Sequence, residues 1–191
     1  QDMTLLYYRS DLVDASPSSW AELSQMAVQI KNANDMEYGF IFPGGSEVNA
    51  SAFLANIWFS FDSYPDFEAE ETVFDENSGA NTWSLLVDMA RNGAISPNVM
   101  TMNAENCRTI FETGNAVFMW NWSYAARLFL DEESPIFDNV GVTPMPASSG
   151  ESAGVLSGYA LTMSKKTSLI PESWEFMQFL VSEQAQKRIR A

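Results

Sequence analysis

The 191-residue sequence contains no histidine, which removes the commonest metal ligand and the commonest general base. It has one cysteine, Cys107, so an intrachain disulfide framework is excluded. Cys107 stands at helical spacing from Ile110 and Phe111, the setting of a buried structural thiol. Basic residues are scarce: 10 Lys and Arg stand against 25 Asp and Glu, for a net charge of −15. Phosphate backbones require clustered Lys and Arg, so a nucleic-acid partner is not expected. No apolar run approaches the roughly 20 residues of a membrane helix, and no signal-peptide pattern is present. Direct membrane insertion is therefore not expected either. The opening Gln1-Asp2-Met3 leaves room for a leader or a preceding domain upstream.

What the chain does have is apolar and aromatic surface: 46% of residues are hydrophobic and 13% aromatic, enough for a substantial core. The aromatics concentrate in residues 114–127, read G-N-A-V-F-M-W-N-W-S-Y-A-A-R. Residues 116–119 form an apolar run that reads as a buried strand. It ends in Trp120, Trp122 and Tyr124 at every second position, with Asn121 and Ser123 between them. For any single Trp, the cap of a hydrophobic core is the simpler reading. Three rings mixed with small polar residues suit the floor of a ligand site.

Around that stretch, strands alternate with helices. Residues 4–9 and 38–42 read as strands. Ser19 and Glu22 form a capping box for a helix carrying Trp20, Leu23, Ala27 and Ile30 on one face. Helices are expected at 47–61, 83–90, 106–112 and 125–132, and strands at 139–142 and 156–164. The longest helix is expected at 171–189, with Pro171 at its start, basic residues at its end, and Trp174, Met177 and Val181 facing inward. Residues 62–72 read as acidic and irregular, and 147–154 as a small-residue loop. This alternation predicts an α/β domain with helices over a sheet.

Some motifs tempt and fail. Gly150-Glu151-Ser152-Ala153-Gly154 matches the nucleophile elbow G-x-S-x-G, but its flanks read as loop and no histidine exists to serve as base. Asp75-Glu76-Asn77-Ser78-Gly79 looks like a calcium loop yet lacks the closing bidentate Glu. Gly44-Gly45-Ser46-Glu47 lacks the Lys and spacing of a phosphate loop, and reads as a strand-to-helix turn. No catalytic residue, metal ligand or cofactor is called.

The chain resembles the extracellular solute-binding proteins of ABC importers, the group of maltose- and trehalose-binding proteins. The resemblance is carried by Leu5-Leu6-Tyr7-Tyr8-Arg9-Ser10-Asp11-Leu12, Ser19-Trp20-Ala21-Glu22-Leu23 and Phe111-Glu112-Thr113-Gly114-Asn115-Ala116-Val117-Phe118-Met119. It continues through Val140-Gly141-Val142-Thr143-Pro144-Met145-Pro146, Ser157-Gly158-Tyr159-Ala160-Leu161 and Ser173-Trp174-Glu175-Phe176-Met177-Gln178-Phe179-Leu180. These segments keep their order over nearly the whole chain.

The resemblance implies a type II periplasmic-binding-protein-like α/β lobe, a sheet flanked by helices, incomplete at both ends. It implies that residues 1–191 form most of the C-terminal lobe of a two-lobed receptor, with the N-terminal lobe absent. It further implies a bacterial protein, periplasmic or extracellular and lipid-anchored or secreted at full length, that binds a sugar and hands it to permease subunits. By the same resemblance Trp122 stacks on a sugar ring, and Gly158 with Tyr159, in place of the family's Gly-Trp pair, lines the cleft. Glu47 and Trp58 stand where sugar-binding members carry an acid and an aromatic. Trp120, Asn121 and Tyr124 complete the expected ligand set, with Trp120, Trp122 and Tyr159 sharing one face. The expected function is a carbohydrate receptor without catalysis. The alternatives are a carbohydrate-active hydrolase domain, which needs paired carboxylates about 5–9 Å apart at the aromatic floor, and a same-fold receptor for a polyamine or peptide.

Overall fold

The structure is a computed structural model that describes residues 2–64, 75–148 and 151–189. Most of the expected acidic irregular stretch, and Gly150 of the G-x-S-x-G run, lie outside the described residues. The chain divides into two compact units, Asp2–Ser157 and a second from Gly158 onward.

The larger unit is built on five strands. Strand β1 (Asp2–Arg9) leads through a turn into helix α1 (Trp20–Ala33). The Ser19 hydroxyl accepts from the Glu22 amide at 3.2 Å, half of the expected capping box. The returning half differs, because the Glu22 carboxylate takes the amide and hydroxyl of Ser18 at 2.7 and 2.8 Å. Trp20, Leu23 and Ala27 are buried as the periodicity requires. Strand β2 (Tyr38–Ile41) is buried throughout, and helix α2 (Glu47–Phe59) follows it. Helix α3 (Glu76–Arg91) begins seven residues before the expected start at 83. Asp75 accepts from the Ser78 amide at 2.7 Å and so caps it, which makes the calcium-like run a helix start.

A 3-10 turn at Pro97–Thr101 precedes helix α4 (Ala104–Glu112), which opens with a reciprocal Asn103–Asn106 capping box. Strand β3 (Ala116–Trp122), helix α5 (Tyr124–Phe129), strand β4 (Val140–Thr143) and the two-residue strand β5 (Leu156–Ser157) complete the unit. The strand expected to reach residue 164 therefore stops at 157.

The strand order is β2-β3-β1-β4. Strands β2 and β3 are parallel, linked by a crossover that contains α2, α3 and α4. Strand β1 runs antiparallel to β3 with Thr4 opposite Trp122 and Leu6 opposite Trp120. Its other edge pairs with β4 along Leu6 to Arg9 and with β5 at Asp2 and Met3. Residues 116–121 of β3 are buried without alternation, the signature of a strand covered on both faces. Around its end Trp20, Phe40, Phe42, Phe53 and Trp120 form one aromatic cluster, with Phe42 and Phe53 stacked at 3.9 Å and Phe53 edge-on to Trp120 at 6.1 Å.

In the second unit, the helix expected at 171–189 is two helices, α6 (Ile170–Val181) and α7 (Glu183–Ile189). Ser182 breaks it with an extended ψ of 150°, and its hydroxyl then accepts from the Ala185 amide at 3.3 Å. A Ser competes well for such cap geometry and poorly for mid-helix positions. No residue of α6 is buried; Trp174 and Val181, expected to face inward, are exposed along with Phe176 and Phe179.

Backbone packs closely on backbone where α1 crosses β2. A Cβ on Gly39 would sit 2.7 Å from the Ala27 carbonyl oxygen, a backbone atom that cannot swing aside. Gly39→Ala is expected to destabilise the chain by about 1–3 kcal/mol through overpacking. Chemical denaturation checks this; an unchanged midpoint contradicts the packing described.

Candidate functional site

The aromatic stretch lies where β3 passes into α5, and one face of α2 sorts its rings. Asn49, Phe53 and Asn56 are spaced i, i+4, i+7 along α2, which brings them to one side of the helix. The indole N–H of Trp120 donates to Asn56 Oδ1 at 2.7 Å, and Asn56 Nδ2 donates to the Ala153 carbonyl at 2.9 Å. The indole N–H of Trp122 donates to Asn49 Oδ1 at 2.8 Å. The two indoles meet edge-to-face at 5.4 Å. Phe53 lies between the two asparagines and packs against Trp120.

The consequences for the two rings differ. Trp120 is 0% exposed, and its one polar atom is satisfied within the core. Its expected place in a ligand floor is corrected: it lies in the core and packs edge-to-face against Trp122. Trp122 is only partly buried, so it keeps surface for contact while its plane is held by Asn49 and Trp120. Asn121 is corrected too. It is fully buried; Nδ2 donates to the Ala104 carbonyl at 3.0 Å and Oδ1 accepts from the Trp122 amide at 2.9 Å. Alternation along a strand turns it to the face opposite Trp120 and Trp122.

Tyr124 is partly buried, and its hydroxyl donates to Glu105 Oε1 at 2.5 Å. The other carboxylate oxygen of Glu105 meets Arg108 Nε at 2.8 Å, and Arg108 reaches Glu112 at 2.6 Å. The Tyr124 hydroxyl, and then Arg108, hold the Glu105 carboxyl below its ordinary value. Burial, and then Glu105, push the Tyr124 phenol well above its own. The buried Tyr7 hydroxyl donates to the Trp122 carbonyl at 2.7 Å, fixing the backbone that carries the partly buried ring.

The remaining expected residues fall elsewhere. Glu47 is exposed in the first turn of α2, two residues before Asn49. Trp58 is nine residues from Asn49, about 900° of helical rotation, and so lies on the opposite side of α2. There it lines a 240 Å³ groove toward α3 with Leu54, Phe59 and Trp83, and that separates it from Trp122. Gly158 and Tyr159 belong to the second unit, where Tyr159 is fully exposed. The sharing of one face by Trp120, Trp122 and Tyr159 is thus excluded for Trp120 by its burial. Asn49, Asn56 and Glu105 were not singled out from sequence. Polar residues at core spacing in α2 were the available signal, since a buried Asn requires a partner.

The fold defined by this sheet and its helices is that of a lobe of a type II periplasmic binding protein. Residues 1–187 match the family described as bacterial extracellular solute-binding proteins, and the chain belongs to that family. It is 30% identical over 98% of its length to a probable ABC transporter-binding protein of Deinococcus radiodurans, and covers 47% of that protein. Among solved structures it is similar to maltose-bound T. maritima MalE3, at 33% identity and a TM-score of 0.88, with 97% of this chain and 49% of that one covered. It also shares the fold of the GacH receptor of Streptomyces glaucescens GLA.O, solved unliganded and with acarbose, at 20% identity and a TM-score of 0.82. That match covers 97% of this chain and 48% of the receptor. The chain thus spans about half the length of the relatives it matches. Among the described residues no helix is long and apolar enough to cross a membrane.

A carboxyl group held below its ordinary value of 4.5 stabilises the fold at pH above that value, and the contribution is lost as pH falls through the lowered pKa. Tyr124→Phe removes the largest cause, so the Glu105 titration is expected to move up toward 4.5. Carboxyl-carbon NMR titration measures it directly. An unmoved Glu105 midpoint contradicts the hydrogen bond described.

Proposed function

We propose that this chain is part of a carbohydrate receptor that delivers its sugar to the permease of an ABC importer. The observation that carries the reading is Trp122, a partly buried indole whose edge is fixed by Asn49 and Trp120 while part of its surface stays open. The C–H face of a pyranose is apolar and slightly positive, an aromatic face is negative, and a ring held rigid loses little freedom when a sugar stacks on it. The maltose bound by MalE3 and the acarbose bound by GacH support the same ligand class. Tyr124 and Glu47 are the groups we assign to sugar hydroxyls. In this reading the ligand lies between two lobes of the full-length receptor, and residues 1–191 supply most of one of them. The receptor works outside the cytoplasmic membrane, periplasmic or tethered by a lipid anchor, and carries out no catalysis.

A hydrolase at this place is disfavoured by Glu105. A glycosidic general acid requires a carboxyl held above its usual pKa, and the one bonded to Tyr124 is held below it.

Trp122→Ala in the full-length receptor is expected to weaken sugar binding by about 1–3 kcal/mol, the scale of a lost stacking face and its buried area. Calorimetric titration against maltose, maltotriose and trehalose, paired with a melting curve, checks it. Wild-type affinity in the variant, or a loss explained wholly by unfolding, contradicts the assignment.

A further inference from the structure

The turn that carries Trp122 and Tyr124 is held by a residue that belongs to another strand. In the β1–β3 register Thr4 faces Trp122, and continuing the antiparallel count places Met3 beside Ser123 and Asp2 beside Tyr124. The bonds follow that count. The Ser123 amide donates to the Met3 carbonyl at 2.8 Å, and the Met3 amide donates to Ser123 Oγ at 3.2 Å. The Ser123 hydroxyl donates to Asp2 Oδ1, and the Tyr124 amide donates to the same oxygen at 3.2 Å.

Helix α5 needs this outside help. Ser123 stands at its N-cap position, but in a helical conformation, φ −63° and ψ −18°, and its side chain makes no cap hydrogen bond. An N-cap normally adopts extended backbone so that its own oxygen reaches the helix amides. Here Ser123 is turned the wrong way, and its hydroxyl is given to Asp2 instead. The Asp2 carboxylate takes over the cap from across the sheet. Its negative charge also suits the positive end of the helix.

Asp2 has a second set of partners. It pairs with Ser157, and Met3 pairs with Leu156, in the strand pair formed with β5. Ser157 is the last residue of the larger unit, so the chain leaves that unit beside Asp2.

We infer that Asp2 is a positioning residue for the aromatic site: its carboxylate holds the Ser123–Tyr124 turn, and through it sets the attitude of Trp122 and Tyr124. The inference rests on the sugar-site reading for its functional consequence, because Asp2 itself is not placed in contact with ligand. A substitution that keeps an oxygen acceptor in the same position preserves the effect, and one that deletes it does not.

The test uses the full-length receptor labelled with 5-fluorotryptophan, with the Trp122 resonance assigned by its disappearance in Trp122→Phe. The variants are Asp2→Ala and Asp2→Asn. Asp2→Ala is expected to shift or broaden the Trp122 fluorine signal and leave that of Trp20 in place, with a melting temperature within a few degrees of wild type. Asp2→Asn is expected to restore the wild-type signal, because its side-chain oxygen still accepts from Ser123 and from the Tyr124 amide. A Trp122 signal unchanged in Asp2→Ala overturns the inference, as does a shift that Asp2→Asn fails to reverse. This readout needs no ligand, so it stands apart from the sugar reading. Titration of the same samples with maltotriose separates the two. Wild-type protein that binds no sugar counts against the proposed function alone. Where wild type binds, Asp2→Ala is expected to bind about tenfold more weakly, and equal affinity overturns the functional part of the inference.

Discussion

Two indole N–H groups, each met by an asparagine from α2, are the contacts on which the rest of this site depends. A buried N–H left without a partner costs about 1–3 kcal/mol, so the end of β3 can hold two tryptophans only where acceptors are waiting. Asn56 supplies the acceptor for Trp120 and Asn49 that for Trp122, with Phe53 packed between them. Seven residues of helix bring both asparagines to one face, so a single rigid element sets both rings. Asn56 also reaches across to the Ala153 carbonyl, which ties the segment approaching β5 into the same network.

That arrangement divides labour along three alternating positions. Trp120 is spent on the core, Trp122 is held at the boundary, and Tyr124 starts the next helix with its hydroxyl on Glu105. Rings fixed in this way are prepared for a flat partner before it arrives, and little entropy is then lost on binding. The sheet topology serves the same end. Strand β1 faces β3 on one edge and carries β4 and then β5 on the other, so Asp2, the aromatic turn and the unit's last residue lie at one end of the sheet.

The α/β alternation, the buried run at 116–119 and the amphipathic face of α1 were legible because each is a local pattern of apolar residues. The family could be read from segments spread over the chain. The α3 start at Asp75 was missed because a short acidic, polar run serves equally well as a cap or a loop. The break at Ser182 hides in a stretch whose composition favours helix on both sides. Placement of the aromatics was the harder question. Trp120 and Trp122 have the same spacing and the same chemistry, and both turn to the same face of β3. What separates them is depth beneath α2, a tertiary property that no periodicity encodes. Trp58 misled for a related reason: its distance along α2 from Asn49 puts it half a turn away, which a loose alignment does not register. The relation of Tyr159 to the floor belongs to a different unit altogether.

The central claim is that Trp122, and not the neighbouring Trp120 or the remote Trp58, is the stacking surface of a sugar site. A crystal structure of the full-length receptor grown with maltotriose tests it most directly. The account predicts a pyranose ring stacked on Trp122, with the Trp122 N–H still on Asn49 and no sugar atom touching Trp120. A sugar seated in the Trp58–Trp83 groove, or one that leaves Trp122 uncovered, would contradict it.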